Sequence, residues 1–146
     1  MNRSEKALNY YSNGFNCAQS VIASFSDLMG VTEETAVRMS AGFGGGMGRM
    51  QDTCGAITGA FMVIGYLRGK YREGDSESAE KTNKLIQEFS KKFGEKHGTI
   101  KCKSLINYDL NSVDGLKAAK DADVFNKKCA FFVKTAVELL EEILKK

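Results

Sequence analysis

The chain has no proline, no tryptophan and no pair of cysteines in C-x-x-C spacing, and His97 is its one histidine. Without proline, nothing in the side-chain set breaks helices from within. Without C-x-x-C, the usual zinc-knuckle and thioredoxin-type signatures are missing. No apolar run approaches the roughly 20 residues that span a bilayer; the longest covers residues 56–67. The opening "MNRSEKALNYYSNG" is polar and has no apolar h-region, so no signal peptide is read there and a cytoplasmic location is expected. A net charge of +3 with dispersed lysines is not a nucleic-acid footprint.

The 146 residues are 42% hydrophobic and 27% charged, which suits one globular domain over residues 1–146. Helical periodicity dominates, and no strand-like alternation is found. Ser4 is expected to cap a first helix with Ala7, Leu8 and Tyr11 inward. Asn16, with Gln19 three residues on, predicts a capping box for a second helix running through Val21, Ile22, Phe25, Leu28 and Met29 to Gly30. Thr32 opens a third helix that stops at Gly42. A fourth begins after Asp52 or Thr53 and runs to about Tyr71, with Gly55, Ala56, Gly59 and Ala60 leaving one face bare for close packing.

A charged helix then carries Leu85, Ile86, Phe89 and Phe93 inward, with His97 as a surface residue at its C-terminal end. "KCKSLIN" reads as a short helical turn and "SVDGLKAAKDAD" as a loop with one more turn of helix. From Asp121 or Asp123 a last helix places Phe125, Cys129, Phe132, Ala136, Leu139 and Ile143 on one stripe. The expected fold is an all-α bundle of five or six helices. The heptad-like stripe also suits a seam with a second copy, so a homodimer is an expectation.

Residues 43–60, "FGGGMGRMQDTCGAITGA", fail both phosphate-loop templates. Five residues after Gly42 stands Met47, which breaks a Walker A loop, and neither Gly42-x-Gly44 nor Gly44-x-Gly46 continues to a dinucleotide fingerprint. The loop reads instead as a mount for Cys54, with Gly44, Gly45, Gly46, Gly48 and Arg49 offering amides and charge to a bound anion, thiolate or sulfide-bearing group. Phe43, Met47 and Met50 imply that it is partly buried and ordered.

The four cysteines lie in four separate segments. Cys17 and Cys54 fall at the first positions of predicted helices, and Cys102 stands between Lys101 and Lys103, settings that favour a thiolate. Cys129 sits on the apolar stripe and alone reads as an inert core residue.

Cys17 within "GFNCAQSV", "CGAITG" from Cys54 to Gly59, Cys102 and Cys129 together resemble the C_GCAxxG_C_C family, whose members are named for redox activity. The likeness spans nearly the whole chain and is densest in the middle segment. It implies that these are the family's four signature cysteines and that their work is redox or metal chemistry. A related domain occurs in split-Soret cytochromes, but covalent haem attachment does not carry over, because this chain lacks C-x-x-C-H.

Three functions are open at this level. The four thiolates converge on an iron–sulfur cluster or another metal, zinc included, for electron transfer with a redox partner the sequence does not specify. Alternatively the protein is a metal-free thiol–disulfide oxidoreductase, with Cys54 or Cys17 attacking. The third is a non-catalytic helical binding module with structural cysteines.

Overall fold

The computed structural model describes residues 1–145 and is all-α. Its segments are α1 (Arg3–Ser12), α2 (Cys17–Ala23), α3 (Ser26–Met29), α4 (Glu33–Ser40), a 3₁₀ turn at Ala41–Phe43, α5 (Gly55–Arg68), α6 (Ser76–His97), α7 (Cys102–Ile106), α8 (Val113–Asp121), a π turn at Phe125–Cys129 and α9 (Ala130–Leu144). The segments outnumber the expected five or six because two predicted helices are each divided and because α7 and α8 form where only short turns were expected.

The second predicted helix breaks after Ala23. Its successor α3 ends on Gly30 in the left-handed region, φ 71, and Leu28 is half exposed, so it leaves the predicted stripe. The last helix is divided by the π turn. The region expected to hold a single turn contains all of α8, capped by Ser112, whose hydroxyl accepts from the Gly115 amide.

Caps explain most boundaries. The Asn16–Gln19 box forms in both directions, with Gln19 N–H donating to Asn16 Oδ1 (2.9 Å) and Asn16 N–H to Gln19 Oε1 (3.0 Å). Thr32 caps α4 as expected. Ser4 does not cap α1. Asn2 does, through a reciprocal box with Glu5, because that pair satisfies two orphan amides where a lone serine satisfies one.

One core cluster runs through the described residues, with α5 at its centre, packed on α2, α6 and α9. The α5–α2 contact is the most extensive between two helices, and Gly59 lets the two backbones approach closely. A Cβ there would stand 2.8 Å from the Ala18 carbonyl oxygen. On α9, Phe132, Val133, Ala136, Val137, Leu140 and Ile143 are buried against α1, α5 and α6, so the stripe read as a dimer seam is used inside the chain. Among the described residues, no helix is long and apolar enough to cross a membrane.

Candidate redox site

Chain segments distant in sequence meet through a short main-chain pairing. The Cys54 amide donates to the Ile100 carbonyl (2.8 Å) and the Cys102 amide to the Asp52 carbonyl (2.7 Å), around an antiparallel bridge between Thr53 and Lys101. Asp52 and Thr53 are therefore spent on this pairing, and neither caps α5. Cys54 is itself the N-cap residue rather than the first helical residue.

Cys102 begins α7 and Cys17 begins α2, as the sequence implied. Cys129 closes the π turn, in which the Ala130 amide bonds the Phe125 carbonyl five residues back. A π turn inserts an extra residue and rotates the helix beyond it, a device frequent at functional sites.

The four cysteines line one cavity of about 550 Å³. Its walls are largely apolar, from Phe15, Leu105, Ile106, Phe125 and Phe132, with Tyr11, Asn16 and Asn126 as polar members. Gly44, Gly45, Gly46, Gly48 and Arg49 all border it, so the loop and the cysteines share one space.

The loop is more ordered than its composition suggests. Residues 45–49 all have φ between 61 and 72, a left-handed run that includes Met47 and Arg49. An L-residue in that region costs about 1–2 kcal/mol, so the loop is held by its contacts. The amides of residues 47–52 all donate back to loop carbonyls, from Met47 to Phe43 (3.1 Å) through Asp52 to Gly46 (3.0 Å). This narrows the expected anion cradle: Gly48 and Arg49 have amides already committed, and those of Gly44, Gly45 and Gly46 have no acceptor among the described residues. Phe43 and Met47 are half-buried as expected, whereas Met50 is 71% exposed.

Gln51 anchors the loop's end. It is buried, its side-chain amide donates to the Tyr108 carbonyl (2.7 Å), and its oxygen accepts from the Leu110 amide (2.8 Å). Sequence reasoning missed both Gln51 and the cavity role of Tyr11. The signals were slight: a lone amide beside a glycine run, and a tyrosine that also fits a core stripe.

The acid–base order of the thiols reverses the sequence expectation. Burial pushes Cys54 up to about 12, against a smaller downward pull from the Ala56 and Ile57 amides. Burial likewise raises Cys102 to about 11, with the neighbouring Cys129 adding to it. Helix-start and lysine effects were expected to dominate at these positions, but desolvation outweighs them.

Cys17 is raised first by its hydrogen bond with Cys129 and then by burial. Cys129, the residue expected to be inert, is lowered by that same bond, with further help from Tyr11 and Lys128. Among the four thiols, Cys129 is thus the one its surroundings favour as thiolate.

All four cysteines carry free thiols. Among the described residues, no three His, Cys, Asp or Glu side chains are gathered closely enough to hold a single metal ion. His97 is half-buried rather than a charged surface cap: its Nε2 lies 3.0 Å from Thr135 Oγ1, its ring packs on Phe93, Phe131 and Phe132, and burial lowers its pKa.

A family model described as "Putative redox-active protein (C_GCAxxG_C_C)" matches residues 15–143. The chain belongs to this family. The chain's four cysteines, drawn from four separate parts of the sequence, all border the cavity. Searches of curated proteins and of solved structures each returned no match.

Proposed function

We propose that this member of the family is a thiol–disulfide oxidoreductase in which Cys129 attacks and Cys17 resolves. The carrying observation is that Cys17 and Cys129 border the same solvent-reaching cavity, where their proximity pushes the Cys17 thiol up and draws Cys129 down. The Cys129 thiolate attacks one sulfur of an acceptor disulfide, forming a mixed disulfide and expelling one thiolate, which takes up a proton. Cys17 loses its proton and attacks the Cys129 sulfur, closing a Cys17–Cys129 disulfide and releasing the second acceptor thiol. Two electrons pass to the acceptor, and a thiol reductant returns the pair to its starting state. Such a cycle suits a reducing compartment such as the cytoplasm.

A second reading rests on a different observation, that all four sulfurs border one cavity. This donor set fits a thiolate-bound iron–sulfur cluster better than one ion, since no three ligands converge on a point. Cys17, Cys54, Cys102 and Cys129 would hold it, the uncommitted amides of Gly44, Gly45 and Gly46 border the same cavity, and the group would supply one-electron transfer.

One experiment separates the two. The protein is purified without oxygen, assayed for iron and sulfide, scanned in the visible, and then titrated with oxidised glutathione. The thiol reading expects metal-free protein that loses two of four thiols, mapped by mass spectrometry to Cys17 and Cys129, with Cys129→Ser unable to do so. Stoichiometric iron and sulfide with a visible band would establish the cluster instead. Metal-free protein that keeps all four thiols would overturn both.

A further inference from the structure

Tyr11 stands before the segment that matches the family, yet it borders the same cavity as the four cysteines. Its hydroxyl donates to the Phe125 carbonyl (3.0 Å), across 114 positions of sequence. That carbonyl is also the acceptor of the Ala130 amide, the bond that defines the π turn. Phe125 opens the turn and Cys129 closes it. A single phenol on α1 therefore shares the carbonyl that closes the turn carrying Cys129.

The rest of the ring is packed against the core, so the hydroxyl is held in place rather than free to swing to solvent. α1 and α9 lie against each other, which makes Tyr11 a tie between two packed helices. Tyr10, its neighbour, has a different setting. Its ring meets Phe15 edge-on at 5.3 Å, and it does not border the cavity.

We propose that Tyr11 is a positioning residue for the thiol pair: its hydrogen bond to the Phe125 carbonyl holds the π turn so that the Cys129 sulfur stays within reach of Cys17. This rests on the thiol–disulfide reading above. Without the bond the turn gains freedom, the two sulfurs spend less time in register, and their effective concentration for each other falls.

The test uses full-length protein in three forms: wild type, Tyr11→Phe and Tyr10→Phe. Each is equilibrated in glutathione buffers without oxygen, and the Cys17–Cys129 disulfide is quantified by mass spectrometry. Tyr11→Phe is expected to lower the equilibrium constant for that disulfide about fivefold, the loss that one ordinary hydrogen bond implies. Tyr10→Phe is expected to leave it unchanged. Equal constants for wild type and Tyr11→Phe, or an equal fall in Tyr10→Phe, would overturn the proposal.

Hydrogen exchange at the Ala130 amide provides a second readout that needs no redox chemistry. It is expected to quicken in Tyr11→Phe, and unchanged exchange also overturns the positioning role. If wild type forms no Cys17–Cys129 disulfide at all, the thiol reading itself fails, a result plainly different from a wild type that works and a variant that matches it.

Discussion

Cys54 and Cys102 each directly follow a residue of the Thr53–Lys101 bridge and bond across it through their amides, whereas Cys17 and Cys129 stand at the ends of helical segments with no such backbone pairing. The first pair is set by backbone. The second is set by side chains: the Asn16–Gln19 box at one end, and the Tyr11 bond to the π turn at the other. A backbone ladder moves only when a segment unfolds, while side-chain ties yield one at a time. The acid–base settings differ in the same way. Burial holds Cys54 and Cys102 protonated, while the hydrogen bond between Cys17 and Cys129 drives that pair's acidities apart. The backbone-held pair thus reads as the fixed floor of the cavity and the other pair as its adjustable wall.

Breaking the floor should have the largest effect. Gly46 has φ 72, and a Cβ there would stand 2.6 Å from both the Asp52 amide nitrogen and the Gln51 Cα. Gly46→Ala adds a left-handed penalty to a backbone clash that no rotamer relieves. It should cost about 3 kcal/mol or more, read as a fall in the urea midpoint. A Gly46→Ala protein as stable as wild type would mean that the loop does not brace the bridge.

Next comes pH. Unfolded thiols release protons near their usual 9.0, but folded Cys54 holds its proton to about 12 and Cys102 to about 11. Between those values the unfolded chain binds fewer protons, so stability is full below pH 9 and is lost as pH rises towards 11 and 12. A loss of about 2 kcal/mol between pH 8 and pH 10 is expected. Urea titrations at the two pH values check it, and Cys54→Ser should flatten the slope.

Gln51→Ala sharpens the comparison at smaller scale. It strands the Leu110 amide and the Tyr108 carbonyl and should cost about 1–2 kcal/mol. Disulfide formation between Cys17 and Cys129 should be unaffected, because the adjustable wall does not lean on Gln51. Thiol mapping beside a melting curve separates the two results.

Local signals carried much of this molecule. The Asn16–Gln19 box, the Thr32 cap, the close face of α5 and the grouping of four distant cysteines were all legible, because each arises from short-range chemistry or from a motif. The bridge between residues 51–54 and 100–103 was not. It is a pairing of two irregular segments, without alternation, and only tertiary packing brings them together. The thiol acidities misled for a related reason. Helix starts and lysine neighbours are visible in sequence, whereas desolvation depends on what folds over the sulfur, and at Cys54 and Cys102 it is the larger effect. The π turn is equally silent, since nothing in "VFNKKC" distinguishes it from ordinary helix.

The smallest expected effect tests the adjustable wall at its other end. Asn16 accepts from the Gln19 amide, and its side-chain nitrogen donates to the Ala41 carbonyl (3.0 Å), so it joins the start of α2 to the turn before the glycine loop. Asn16→Ala removes the cap one residue before Cys17 and should cost about 1 kcal/mol. A helix end that frays at Cys17 still leaves the Cys54–Cys102 ladder intact. The urea midpoint should therefore fall slightly, while alkylation of Cys17 quickens and that of Cys54 does not. Equal quickening at both cysteines would show that the two pairs open as one unit, and the distinction between floor and wall would then be wrong.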